Sequence, residues 1–438
     1  MRKIIQYMMM ALIAVVLASC ANDISEESTP TVKSNIRFVV DDFPMFEKPS
    51  TRTIGEEDKG KTAWAVGDEI CVKLESKELG IQTATLKYNG VKFEIQDGNS
   101  LCYLDGEPVT AYAYYAPGRK WLNDGYLGYK DGERDGTAEF LEATCTVHYG
   151  DDNYIDISFA NVTRNYSRLR IATMPNMPIT VDIDRYTPAG SSDMKWDQNY
   201  ALTSDEKGNA YLYGTFENNS EVTVKYREAA LTTHTFSQAT ESAKSYALDA
   251  TVVSLTDEGI TYDQIVEDVK KELDAGKTYI NLILAPDVDE ETLEAIHIGL
   301  LEGDARDGSI NLTLIGCKKI PSRGFLHFGM LKSIVLPDVT EIGENAFSDC
   351  PWLQKVVLGN LTKVYGNVRN NGIFDGCETR FIDLVLSKDQ KVMNDGEAEG
   401  RYCWTADIIT DYDLSNEHVS KKFLGYEFKS ITCRYKFE

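Results

Sequence analysis

Histidine is scarce in this chain, with five among 438 residues, at positions 148, 234, 297, 327 and 418 and without an HxH or HExxH pair. The nine cysteines show no zinc-type spacing, so there is little material for a metal centre. No GxSxG nucleophile elbow occurs, and no Walker loop or strand-linked GxGxxG is present. Positive charge is also in deficit: 45 Lys and Arg face 69 Asp and Glu, a net charge of −24. Phosphate binding needs a surplus of basic residues, so nucleic acid is not an expected partner. A polybasic grip on anionic lipid is disfavoured for the same reason. The sequence therefore predicts no catalytic residue, no metal and no cofactor. Long apolar runs are missing too. The run from Met8 to Ala18 is too short for a bilayer of about 30 Å, which needs about twenty residues. What is present is ordinary globular composition, 42% hydrophobic and 26% charged, at a length that suits two to four domains.

Arg2 and Lys3 precede the apolar run, and its length fits a secretory signal. Leu17-Ala18-Ser19-Cys20 resembles the bacterial lipobox, which implies a signal peptide over 1–20, cleavage before Cys20 and acyl chains on that cysteine. Two or more chains hold a protein on a membrane for practical purposes. Residues 21–34 are polar, carry Asp23, Glu26 and Glu27, and read as a tether. An acidic stretch after the cysteine resembles the surface-export signal of Bacteroidetes-type lipoproteins. The expected location is the cell outer membrane, lipid-anchored and surface-exposed, with a periplasm-facing placement as the alternative.

From Asn35 to about Val253 apolar residues alternate with polar ones between turn signals, as in antiparallel sandwiches. Asn89-Gly90 in ATLKY-NG-VKFEI predicts a two-residue type I′ hairpin with Tyr88 opposite Val91, Leu86 opposite Phe93 and Ala84 opposite Ile95. Some 220 residues exceed one sandwich, which suggests a division near Asn161–Tyr166. The opening NIRFVV, the Thr51-Arg52-Thr53 step and TAWAVGDEICV resemble the fimbrillin-like (Mfa-like) family of surface lipoproteins. In this reading Trp64 plugs the sandwich, Gly67-Asp68 turns, and Ile70 and Val72 re-enter the core. The resemblance implies two transthyretin-like β-sandwiches, over 35–163 and 164–255. It also implies polymerisation by strand donation after arginine-specific cleavage, for which Arg37 and Arg52 are the candidate sites.

A repeat of 22 residues runs through the C-terminal part. Leu314, Leu336 and Leu358 keep that spacing, as do Leu312, Ile334 and Val356, and Ile320, Ile342 and Val364. Phe325 and Phe347 follow it, whereas Phe374 is displaced by five extra residues around Val368–Gly372. Such periods mean stacked units. LKSIVLPDVTEIGENAFSDCPWL resembles the BspA-like leucine-rich repeat, which implies a short capped α/β solenoid over 256–438. The caps are a helix from Tyr262 to Leu273 ended by Gly276, a second helix at Glu290–Leu301, and a closing strand through Ile431, Cys433, Tyr435 and Phe437. The fold class is thus mainly β, two sandwiches followed by a leucine-rich-repeat solenoid.

Cysteines 71, 102, 145, 317, 350, 377, 403 and 433 are even in number, as a disulfide framework would need. Cys350 and Cys377 sit where Phe328 stands in an earlier repeat, so they read as buried small hydrophobes. The glycine-rich acidic segment 131–136 lacks the calcium-loop register and reads as a hairpin loop. Tyr112 or Tyr114 is expected in the core. Trp121, Tyr126 and Tyr129 are candidate ligand-contact aromatics, because exposed rings anchor protein partners and sugars. The expected role is non-catalytic adhesion or ligand recognition, fimbria-related, as a tip, anchor-associated or free-standing adhesin. Its expected partners are the outer membrane through Cys20, a host or bacterial surface protein or glycan, and other fimbrial subunits. The repeat array is expected to offer an extended face for such contacts. About 180 residues follow the second sandwich, which disfavours a shaft subunit. A strand-donating pilus subunit and a glycan-capturing lipoprotein remain the alternatives.

Overall fold

The computed structural model describes residues 32–435, apart from 34–35, 48–59, 97–100, 105, 124, 151–152, 160–163, 228, 258, 369–370 and 412–420. Cys20, Arg52 and most of the 21–34 tether lie outside the described residues. Among those described, no helix is long and apolar enough to cross a membrane. The fold is mainly β, with sandwich-like sheets built around separate cores.

The first unit is a seven-stranded sheet in the order Arg37–Val40, Tyr154–Ser158, Leu141–His148, Val109–Tyr115, Glu69–Ser76, Gly80–Tyr88, Phe93–Ile95. Strand Leu141–His148 changes partner along its length. Its first three residues pair with Ala113–Tyr115, and Thr144–His148 pair with Tyr154–Ser158. A strand that switches partners turns a corner between layers, so the sheet folds over Ile70, Val72, Leu74, Leu86 and Phe159. Trp64 closes this core. Its ring lies 4.9 Å from those of Phe43 and Phe93, and its Nε1 donates to the carbonyl of Asp41 at 2.7 Å. Gly67 takes φ +97°, which a side chain would strain. Asp68 caps the turn by accepting from the Ala65 amide and pairing with Lys61.

Two local expectations fail here. Tyr88 pairs with Phe93 and Leu86 with Ile95, so the hairpin register is two residues away from the type I′ arrangement. The Asn89 side chain is the cause. It accepts from the amides of both Val91 and Lys92, opening a four-residue loop that leaves Val91 exposed. A shift of two preserves side-chain parity, so Leu86 and Phe93 still face the core. The second failure concerns the tyrosines. Ala113 pairs with buried Val72, which puts Ala111, Ala113 and Tyr115 inward. Tyr112 and Tyr114 therefore stand on the outer face, one beneath the Lys73 ammonium and the other against Phe140.

The second unit repeats the corner device. Strand Pro178–Pro188 pairs with Lys195–Thr203 along one side. On its other side it pairs first with Glu221–Tyr226 and then with Asn209–Phe216. Tyr186, Tyr200 and Phe216 fill the interior, and the Tyr186 ring lies against Gly214, leaving no room there for a Cβ. A buried ion pair joins the two units. Arg164 donates to Glu139 at 2.8 Å and to the Pro44 carbonyl at 2.6 Å, and its guanidinium stacks 3.9 Å from the Phe46 centroid.

Strand Val253–Ser254 leaves the second unit and starts a parallel sheet that continues through Tyr279–Ile283, Ile310–Ile315, Leu331–Leu336, Lys355–Leu358, Asp383–Ser387 and Ser430–Tyr435. A second, shorter parallel ladder joins Lys319–Ile320, Glu341–Ile342 and Lys363–Tyr365. The 22-residue spacing appears directly as pairing: Leu312 with Ile334 with Val356, and Ile320 with Ile342 with Val364. Phe325, Phe347 and Phe374 stack at 5.4 and 5.3 Å despite the inserted residues between the last two. Helix α1 (Tyr262–Asp274) starts at a Thr261–Gln264 capping box, and helix α2 (Glu290–Glu302) starts at Asp289.

The outward face of this parallel sheet is partly covered by the second unit. Val335, Val357 and Val385 form one outward row, and Ala229 of the second unit covers them. Ile283 and Ile315 extend into the second unit's core. Arg227 pairs with Asp338, and Asn281 Nδ2 donates to the Leu231 carbonyl at 2.9 Å. Apolar residues at outward positions made this contact favourable. An exposed row of three valines would have kept that area in water.

Candidate functional site

Trp121 and Tyr129 lie on a small hairpin, Arg119–Trp121 with Leu127–Tyr129, and Tyr126 lies in its loop. They do not form one platform. Trp121 is half-buried, donates to the Ala84 carbonyl at 2.9 Å and meets Tyr114 edge-on. The Tyr129 ring is occupied by the Arg119 guanidinium at 4.7 Å, which also donates to its hydroxyl. Tyr126 alone presents most of its surface, 71% exposed. Arg37 opens the strand Arg37–Val40, which is an edge of its sheet and pairs in parallel with Tyr154–Ser158.

The eight described cysteines are free thiols. Burial pushes Cys71 up to about 11 and Cys317 up to about 12, far from the thiolate form that reacts. Cys350 and Cys377 face each other inside the repeat core. The hydrogen bond with Cys377, and then burial, push the Cys350 thiol upward. Among the described residues no cluster of His, Cys, Asp and Glu has a metal-holding arrangement. His148 meets Asp156 at 2.9 Å on a surface hairpin, and His297 stacks on Phe328.

One concavity was not foreseen from the sequence. It is a cleft of about 760 Å³ between the second unit and the parallel sheet. One wall is built from strands of the second unit and carries Asp182, Asp184, Asp197, Gln198, Asn199, Glu221, Thr223 and Lys225. The other is the second outward row of the parallel sheet, Tyr279, Asn311, Ser333, Lys355 and Asp383, in register across five strands, with Lys332 and Gln354 at its rim. Successive groups in that row stand one strand apart, about 4.8 Å.

Several of these groups are already held. Asp182 pairs with Lys225 and accepts from Asn199 at 2.6 Å. Asp383 accepts from Lys429 at 2.8 Å and Ser430 at 2.6 Å. Ser333 donates to Asn311 at 2.8 Å. Four charged side chains remain without an ion pair or side-chain hydrogen bond among the described residues: Asp197 and Glu221 on one wall, Lys332 and Lys355 on the other. Desolvation lowers the pKa of Lys355, helped by the like charge of Lys225 across the gap and opposed by Asp383. These four groups thus offer acceptors from one side and donors from the other, in a cleft lined by polar and apolar surface together.

No family model matches the chain, and no curated protein matches it. Among solved structures it is similar to two crystal structures of variants of the shaft pilin spaA from Lactobacillus rhamnosus GG. The first shares 10% identity over 50% of this chain and 97% of the pilin, with a TM-score of 0.18. The second shares 10% over 45% and 95%, with a TM-score of 0.17. Scores of this size describe chains without a common superposition, so no functional feature passes from the pilin to this protein.

Proposed function

We propose that this chain is a non-catalytic, lipid-anchored surface protein acting in adhesion or ligand recognition, fimbria-related and held at the outer membrane by acyl chains on Cys20. In this reading the fimbrillin-like sandwiches at 35–163 and 164–255 form a stalk, and the BspA-like leucine-rich-repeat region at 256–438 is the distal part. One observation carries it: the second unit and the parallel sheet are clamped together through the covered valine row, leaving a polar cleft between them. A rigid arm bearing a polar concavity suits binding by shape and hydrogen bonding.

Protease shaving of intact cells tests this, comparing wild type with Cys20→Ala. Release of the 256–438 region from wild-type cells, and its absence from the surface of the variant, is the expected result. Equal release from both would overturn the anchoring. A second reading, a pilus subunit assembled by strand donation, draws on the edge position of Arg37–Val40, whose removal would uncover the Tyr154–Ser158 strand. Treatment with an arginine-specific protease followed by size-exclusion chromatography separates the two. Long polymers favour the subunit, and a persistent monomer favours the adhesin.

A further inference from the structure

We propose that the cleft between the second unit and the parallel sheet is a binding site for a hydroxyl-rich oligosaccharide, laid across the strands along the row Tyr279, Asn311, Ser333, Lys355 and Asp383. This rests on the ligand-recognition reading and gives it a place and a chemistry.

The argument starts from the four unpartnered charges. A simple anion drawn to Lys332 and Lys355 would face Asp197 and Glu221 on the opposite wall. A simple cation would meet the converse problem. The chain's net charge of −24 also disfavours a polyanion at long range. The group satisfied by both walls together is one that donates and accepts at once, and a hydroxyl does so. Vicinal hydroxyls can donate to the carboxylates of Asp197 and Glu221 while accepting from the ammonium groups of Lys332 and Lys355. Hydrogen bonds with one charged partner are the stronger kind.

The alternative macromolecule is an extended peptide. Peptides are usually gripped by main-chain pairing along a sheet edge or by apolar pockets for alternate side chains. Neither is fully built here. The strands of the parallel-sheet wall pair on both sides. On the other wall Lys195–Thr203 and Ala229–Thr235 are sheet edges, but Arg134 already occupies the Asn199 carbonyl, and among the described residues Ile183, Ala230 and Val335 are the aliphatic ones in the lining. The volume of about 760 Å³ accommodates several sugar rings, within the usual range for ligand clefts.

The test uses the purified full chain and isothermal titration with named probes: cellohexaose, maltohexaose, mannohexaose, hexagalacturonate and a hexapeptide of alternating Ser, Lys and Asp. Hydrogen exchange maps the contact. The expected result is binding of at least one neutral hexasaccharide with protection of segments 182–199, 221–233 and 332–355. Glu221→Gln and Lys355→Met should each weaken binding about tenfold, the loss of one charge-assisted hydrogen bond. Lys332→Met, at the exposed rim, provides a second change that leaves the core untouched. Trp121→Ala should leave binding unchanged. The proposal is overturned if none of the neutral saccharides binds at millimolar concentration. Preference for the hexagalacturonate or the peptide overturns it too, as does binding insensitive to all three cleft variants. Loss of anchoring in the shaving experiment would not alter this binding in solution, and failure to bind would not alter shaving, so the two readings fail separately.

Discussion

In the first antiparallel unit Trp64 meets Phe43, Phe93, Tyr115 and Phe159, four rings brought together from four places in the chain. In the C-terminal repeat region Phe347 meets Phe325 and Phe374, its own counterparts one repeat away on either side, in the turns that follow the strands. Both arrangements bury aromatic surface, but they distribute its loss differently. A ring in the antiparallel core is tied to one enclosed cluster. A ring in the stack is a shared wall between neighbours, and each unit depends on the next for closure.

The sharpest way to break this contrast is a cavity on each side of it. Phe347→Ala should cost about 3–5 kcal/mol, the usual range for a buried phenylalanine. The damage should spread, with hydrogen exchange rising together in Leu331–Leu336, Lys355–Leu358 and Asp383–Ser387. Phe216→Ala in the second unit, equally buried, should cost a similar amount with exchange rising chiefly around Asn209–Phe216 and its partners. Equal spread in both variants would remove the distinction between a shared wall and an enclosed core.

A comparable loss is expected where the first two units meet. Glu139 and Arg164 are both nearly fully buried. Burial raises the Glu139 pKa, and the Arg164 guanidinium opposes that rise. Glu139→Ala strands a buried guanidinium and should cost about 3–5 kcal/mol. Replacing both partners, Glu139→Met with Arg164→Met, should recover much of it. Chemical denaturation of the single and double variants measures the difference. A single variant as stable as wild type would mean that the pair is not enclosed.

The repeat region was the more legible part for the same physical reason that makes its rings interdependent. Each inward position recurs, so Leu312, Ile334 and Val356 announce their pairing by spacing alone. The antiparallel units gave alternation but not register. At Asn89 the competition between a two-residue turn and a side chain that captures two amides was decided locally, and composition alone did not show which would win. Tyr112 and Tyr114 were misplaced because the run Ala111–Tyr115 holds only small or aromatic residues and fits either parity, and the partner strands chose Tyr115. The cleft left no motif, since its walls come from separate stretches of chain, 182–233 and 279–383. One signal was there, however. IVL at 334–336, VVL at 356–358 and LVL at 384–386 are runs without a polar alternate, the mark of a strand buried on both faces. They implied that something covers the outward valine row.

The smallest effect expected is in pH dependence, and it compares the two regions through one histidine each. His234 packs against Phe236 in the second unit, and its Nε2 has no hydrogen-bond partner among the described residues. His297 stacks 4.0 Å from the Phe328 ring in the repeat region. Burial lowers both below the ordinary value of 6.5, and for His297 the nearby Glu294 partly offsets this. A base whose pKa is depressed by folding binds its proton more readily when unfolded. Stability is therefore full above about 6.5 and declines as pH falls through that value, levelling once the folded form also protonates. His234→Gln and His297→Gln should each flatten the acid side of a melting-temperature profile between about pH 7 and 5. A steeper slope in either variant would mean that the imidazole is stabilised as the cation in the fold, and the reading of burial as the dominant influence would then be wrong for that region.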